Sequence, residues 1–492
     1  MNPARRGLRW GAGSLLILCL ALSLACGTLP PPPAPEDPAA VWERHYRTAA
    51  DQFLREEFAA AEATLLTIPS HRWPPREAGR GYRLLAHIRE RRGHRAQAVS
   101  LLELAAARTR DPARRAEIEE ELAARRPRLA LLQPFTGRRT VGAQVFVLQG
   151  KTRAAAAEEL MEMARRGINT VIIRAFHSKG DRYHQPVMTD APAKAGSPSV
   201  ALAKEGVYFP TQAAPVVADL IGWVVDACHY YGMECYAWMN TRKARFGNTP
   251  REWDDRARDR KTRQVLPKQE LDLFHPQVQA YLETLYRDLA ATGVDGILFQ
   301  DDLVYRLGDA HAPQARRALA RLQTGTETDK KRDRILLTMR RLMAAGRAVK
   351  PDLRFAANVY YDTLYIPDKA YQWLAQSLPH LADLSAEHLA VMAYQRQMMQ
   401  ELHKELPAVL NDLARMTVDA VRIGGRPGRC WMKVQTKDWQ TGRGIPIQEV
   451  VATTRTLLAA EPEGQADGIG IIFAPYTNAL DWGPIAAALG EG

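Results

Sequence analysis

An α/β chain is predicted: a (β/α)8 TIM-like barrel preceded by a small all-α, tetratricopeptide-like helical domain. Three observations predict it. From about residue 141, eight short apolar runs alternate with helical segments over about 350 residues, the count and size of a closed βα barrel. Several of those helices end in a glycine just before the next run, a C-cap signal. Upstream, residues 39–126 are alanine- and arginine-rich, poor in glycine and helical in period.

Taken in order, the chain of 492 residues begins with an address. "MNPARRGLRW" is a positive n-region, and "SLLILCLALSLA" is an apolar run shorter than the roughly 20 residues that span a bilayer. With Ala25 before Cys26, residues 1–26 read as a lipoprotein signal peptide with Cys26 as the lipidated residue. Ser23 stands where an aliphatic residue is usual, so ordinary secretion and an uncleaved anchor are the alternatives. The proline-rich stretch 27–38 is a stiff spacer. The expected location is the periplasmic face of the outer membrane.

Within residues 39–126, "YRTAADQFLREEFAAAEATLLTI" and "GYRLLAHIRERRGHRAQAVSLLELA" share a pattern roughly 34 residues apart, the period of tetratricopeptide helix pairs. Small alanines allow close helix approach and leucines fill the seam. A plain helical bundle is the alternative. Two repeats are few for a free-standing array, so the module should lean on another body.

Residues 140–487 form the barrel. Its apolar runs are "AQVFVL", "NTVIIRAF", "MECYAWM", "DGILF", "RFAANVY", "LAVMAY", "RCWMKVQ" and "GIGIIFAPY". A doubly wound open sheet is the alternative. Three cysteines lie beyond the signal, Cys228, Cys235 and Cys430; an odd three is no disulfide framework, so buried free thiols are expected. The formal charge of +12 is spread along an arginine-rich chain without a nucleic-acid motif, so no nucleic-acid partner is expected. No His/Cys cluster has zinc spacing and no glycine-rich phosphate loop occurs, so neither metal nor cofactor is expected.

The C-terminal ends of barrel strands carry the chemistry. There the sequence puts Arg174, Trp238, Asn358, Tyr394, Gln435, Trp439 and Tyr476, and at the fourth run the adjacent pair Asp301 and Asp302. Aromatic rings beside amides and carboxylates suit a sugar, whose faces are apolar and whose rim is hydroxylated. Two close carboxylates raise the pKa of one, which then serves as an acid, and neighbouring carboxylates divide the work in substrate-assisted cleavage of 2-acetamido sugars. His177 reads as a surface histidine, and Arg174 as a substrate-binding residue like the other strand-end side chains, with a structural pairing to Asp301 or Asp302 as the alternative.

"DGILFQDDLVY" is similar to the "DGILFHDD" signature of the C-terminal hydrolase domain of the PgaB lipoproteins, which process poly-β-1,6-N-acetylglucosamine in biofilm export. "VYFPTQAAPVVADLIGWVV", "YAWMNTRK", "HPQVQAYLETLYRDLA" and "VQTKDWQ" follow that domain's order over residues 140 to 485. The resemblance implies an endo-acting glycoside hydrolase on the partially de-N-acetylated polymer. It implies Asp302 as general acid and Asp301 as the orienting carboxylate, with Trp238 and Trp439 as cleft aromatics and Asn358 and Gln435 as polar strand ends. Gln300 replaces the family histidine, and His177–Ser178 replace an acidic, glycine-rich loop. The family's metal-dependent deacetylase domain is replaced here by the helical repeats, so no deacetylase activity is expected. Those repeats would bind a protein partner of the export machinery or the polymer. The alternatives are a catalytically inactive polysaccharide-binding barrel and a scaffold.

Overall fold

The computed structural model describes residues 37–92, 95–125, 139–190, 202–247, 249–461 and 468–490. The signal peptide, Cys26 and most of the proline-rich spacer lie outside the described residues. Twelve strands are present among them: β1 (Val141–Val145), β2 (Thr170–Arg174), β3 (Phe176–His177), β4 (Gly206–Val207), β5 (Glu234–Met239), β6 (Asp254–Arg258), β7 (Val265–Leu271), β8 (Gly296–Phe299), β9 (Arg354–Tyr360), β10 (His388–Met392), β11 (Cys430–Gln435) and β12 (Ile469–Ala474). Eight close into an all-parallel barrel in the order β1-β12-β11-β10-β9-β8-β5-β2. These are the eight runs expected from the sequence, with ends displaced by up to three residues. Two antiparallel additions, β3–β4 and the β6–β7 hairpin, were not anticipated.

The barrel strands are buried along almost their whole length because helices cover their outer faces and side chains fill the inside. The floor is aromatic. Trp431 stacks on His388 at 4.1 Å between ring centroids, and Tyr236 meets Trp431 edge-on at 5.1 Å. Such rings fit only where the neighbouring strand carries no side chain: a Cβ on Gly296, the β8 partner of Tyr236 on β5, would lie 2.1 Å from Tyr236. The helix before β8, Pro276–Ala290, ends in the "ATG" turn, where Gly293 takes φ 87°, a conformation that costs an L side chain strain.

Ahead of the barrel, the described residues form five α-helices, Pro38–Leu54, Phe58–Leu65, Ala78–Arg91, Arg95–Arg108 and Pro112–Arg125. Their first core gathers Trp42, Trp73, Leu65 and Ile88. Trp73 also donates from its indole to the Ile68 carbonyl at 2.7 Å. The module does lean on the barrel. Helix Arg95–Arg108 packs against barrel helix Ile221–Tyr230. The Gln97 backbone N–H donates to Asp226 at 3.2 Å, and Arg153 donates to the Arg92 carbonyl at 3.2 Å. Cys228, Cys235 and Cys430 are buried free thiols. No helix among the described residues is long and apolar enough to cross a membrane.

Candidate active site

Side chains alternate along a strand, so residues two apart share a face. On the inward face Gln144 (β1), Trp238 (β5), Asn358 (β9), Met392 (β10) and Lys433 (β11) converge at the C-terminal mouth of the barrel. There they line a pocket of about 290 Å³ with Phe146, Gln300, Asp301, Tyr360, Tyr394 and Trp439. The aromatic wall is continuous: Phe146 packs on Trp238 at 4.7 Å and lies parallel to Trp439 at 6.1 Å, and Tyr394 meets Trp439 edge-on at 5.6 Å. Gln300 accepts a hydrogen bond from the Trp238 indole N–H, which fixes that ring.

The adjacent aspartates part company at the strand end. Asp301 lines the pocket, and its backbone carbonyl accepts from the Tyr360 hydroxyl at 3.0 Å. Asp302 is only 5% exposed and turns beneath the loop that follows β5. Its carboxylate accepts from the backbone N–H groups of Thr241 at 3.0 Å and Lys243 at 2.5 Å. Burial pushes Asp302 up to about 7, the nearby Asp301 charge adds to the rise, and the two N–H donors oppose it. The pocket therefore presents one of the two carboxylates, where the resemblance had both sharing the reaction.

Lys433 was missed. It is 1% exposed, donates to Asn358 Oδ1 at 2.9 Å and lies 5.5 Å from the Tyr394 ring centroid. Burial brings its ammonium down to about 7, against the pull of Asp301. Beside it, the Gln144 side-chain oxygen is buried without a hydrogen-bond partner, an acceptor open to a ligand donor. A lysine inside the apolar strand "CWMKVQ", two residues before Gln435, was the available signal.

Burial of Lys433 has a checkable cost. Its folded pKa is depressed, so the penalty is absent above about 10.5, grows as pH falls, and is complete below about 7. Replacement by Met is expected to raise stability by about 2 kcal/mol at pH 6. The gain should disappear by pH 10.5, read as melting temperature against pH.

Several expected contacts fall elsewhere. Arg174 does not reach either aspartate: it pairs with Asp181 at 3.0 Å and donates to the Arg182 carbonyl at 2.5 Å. Gln435 is buried and spent on its own surroundings, donating to the Lys437 carbonyl at 2.7 Å and accepting from the Gln397 N–H at 3.0 Å. Tyr476 lines a neighbouring cleft of about 810 Å³ that shares Phe146 and Trp439 with the central pocket, and its hydroxyl accepts from Arg166 at 3.2 Å. His177 is buried, stacked on Tyr183 at 3.9 Å and hydrogen-bonded to the Tyr208 hydroxyl at 2.9 Å. Trp238, Asn358, Tyr394 and Trp439 all reach the central pocket.

The β5 exit is held by a second device. Arg242, fully buried, pairs with Asp255 on β6 at 2.7 Å, Glu270 on β7 at 2.9 Å and Asp309 at 3.0 Å. One guanidinium thus ties the β6–β7 hairpin and the loop after β8 to the barrel mouth. Among the described residues no cluster of His, Cys, Asp and Glu could hold a metal ion.

Residues 197–461, more than half of the chain, match the model of hypothetical glycosyl hydrolase family 13. The chain belongs to that family. The barrel is also similar to the PgaB (BpsB) glycoside hydrolase domain from Bordetella bronchiseptica, at 19% identity and a TM-score of 0.51 over 71% of this chain and 97% of that one. A GH5_18 protein from Streptomyces cattleya in complex with GlcNAc aligns at 12% identity, over 72% of this chain and 80% of that one, with a TM-score of 0.40. No curated protein matches the chain. This family member is a glycoside hydrolase-type barrel whose candidate active site is the strand-end pocket around Asp301.

Proposed function

We propose that the protein is an endo-acting glycoside hydrolase of a 2-acetamido-sugar polymer, with partially de-N-acetylated poly-β-1,6-N-acetylglucosamine as the substrate class. The observation that carries this reading is a central pocket walled by Phe146, Trp238, Tyr394 and Trp439 and furnished with the single carboxylate of Asp301. Cleavage by carboxylates alone needs two at the scissile bond, whereas an acetamido sugar supplies its own nucleophile. One carboxylate in the pocket therefore favours substrate assistance. In this reading Asp301, in its protonated form, gives that proton to the leaving oxygen and is left as the carboxylate. Asn358 and Lys433 hold the polar substituents of the sugar, and Asp302 shapes the loop beneath without touching it. The choice of polymer rests on the sequence resemblance of "DGILFQDDLVY" and its flanking segments to the PgaB hydrolase domains.

Lipidation at Cys26 would anchor the barrel to the periplasmic face of the outer membrane. The helical module, with its tetratricopeptide-like repeats, would dock a protein of the export machinery.

The test is release of reducing ends from the partially de-N-acetylated polymer by the full chain. Oligosaccharides of several lengths are expected, the mark of internal cleavage. A chain that binds the polymer yet releases nothing at any pH between 5 and 8 would leave a polysaccharide-binding barrel in place of an enzyme.

A further inference from the structure

Beyond Tyr360 the central pocket adjoins a second arm, a cleft of about 870 Å³ that shares Tyr360 and Gln397 with it. Its roof is the β6–β7 hairpin, whose sequence "RARDRKTRQVLPK" is dense in cations. Arg258, Arg260, Lys261 and Arg306 line the arm and are exposed. None of them has a carboxylate within ion-pair distance among the described residues. Lys268, by contrast, is already committed to Glu270 and Asp309 at 2.9 and 2.8 Å.

The anions facing this arm are largely engaged. Asp259 accepts from the backbone N–H groups of Lys261 and Thr262 at 2.9 and 2.7 Å, closing the hairpin turn. Glu401 accepts from the Tyr361 hydroxyl at 2.6 Å and from Gln397 at 2.9 Å. Asp362 lies near Glu401, and burial and that neighbour raise its pKa. On the same wall Trp373 is 44% exposed, a large ring left open to solvent inside a cleft. The roof is also fixed in position. The Arg258 N–H donates to the Gly308 carbonyl at 2.8 Å, and Arg242 binds both hairpin strands.

An open aromatic ring beside unpaired guanidinium groups fits a sugar bearing a carboxylate or another anion: the ring takes the apolar face and the fork takes the charge. The same cations repel a glucosaminium unit, so the free amines of the partially de-N-acetylated polymer belong outside this arm. We propose that this arm binds an acidic substituent of the glycan, carried on a unit that stacks on Trp373. The proposal deepens the reading above and rests on it, since it takes the same cleft to hold the polymer.

One β-1,6-linked N-acetylglucosamine oligomer, partly de-N-acetylated, provides the probe in three forms: amines free, re-acetylated, or succinylated so that each ammonium becomes a carboxylate. Binding is measured on the full-length Asp301→Asn chain and cleavage on the wild type. The succinylated form is expected to bind at least tenfold tighter than the free-amine form, with the preference falling as salt rises. The combined Arg258→Glu, Arg260→Glu and Lys261→Glu variant should reverse the order, and Trp373→Ala should weaken binding of all three forms. These are surface positions, so a melting temperature within a few degrees of wild type accompanies the expected result.

Equal or tighter binding of the free-amine form overturns the proposal. So does a preference untouched by the charge reversal, or an equal loss of binding to polyglutamate, which would mark a nonspecific basic surface. A preference for the succinylated form without cleavage of any form would sustain this proposal and defeat the hydrolase reading. Cleavage without the preference would do the reverse.

Discussion

Asp301→Asn is expected to lower kcat on the polymer by roughly 10²- to 10⁴-fold, the usual worth of a positioned proton donor, while binding persists. That is about 3–5 kcal/mol of transition-state stabilisation. The expectation follows from position. Asp301 lines the pocket, and its amide isostere keeps the shape while removing the proton. Asp302→Asn should behave differently. Its carboxylate holds the Thr241 and Lys243 N–H groups, so the change loosens the loop after β5 and costs about 1–3 kcal/mol of stability. The activity that remains should lose the part of its pH dependence that tracks Asp302 near 7. Steady-state kinetics and melting curves on both variants separate the two roles. If Asp302→Asn abolished turnover at an unchanged melting temperature while Asp301→Asn still cut, the acid would be Asp302.

Arg242→Met is expected to cost about 3–5 kcal/mol, because removing one partner of a buried ion cluster strands the others. Asp255, Glu270 and Asp309 would then face one another with Lys268 as their nearby cation. In the intact protein burial works against the charge on Asp309, yet Arg242 and Lys268 hold it below its ordinary range. Without Arg242 those carboxylates gain stability by taking up protons. The destabilisation should therefore shrink as pH falls from 7 toward 4, measured by urea unfolding at each pH. A constant loss across that range would mean that packing on Tyr305, 4.2 Å from the guanidinium, is what Arg242 supplies.

The barrel was legible because its signal is local. Continuous apolar runs such as "DGILF" and "CWMKVQ", spaced by amphipathic helices, state both the element type and the parallel order. β9 falls at 354–360 as the sequence places it. The β6–β7 hairpin left no such trace. "DDRAR" and "VLPKQEL" are polar, and they pair because Arg242 draws Asp255 and Glu270 together from across the mouth. Likewise, strand-end position correctly drew attention to Trp238, Asn358, Tyr394 and Trp439, since alternation alone sends the first two inward. It failed for Gln435 and Arg174, whose side chains bend to satisfy loop carbonyls and a loop carboxylate.

By itself the sequence determined the eight-stranded alternation, the preceding helices, and the acidic, aromatic strand ends that mark a sugar-processing barrel. Only the tertiary structure decided which aspartate faces the pocket. It also decided that Lys433 sits at the pocket floor and that the hairpin lends the cleft its cationic arm. The physical reason is range. Periodicity and caps are written in neighbouring residues, whereas the direction of a side chain at a strand end is set by donors and charges 60 residues away or more, as the Thr241 N–H sets that of Asp302 (61 residues) and Asn358 that of Lys433 (75 residues).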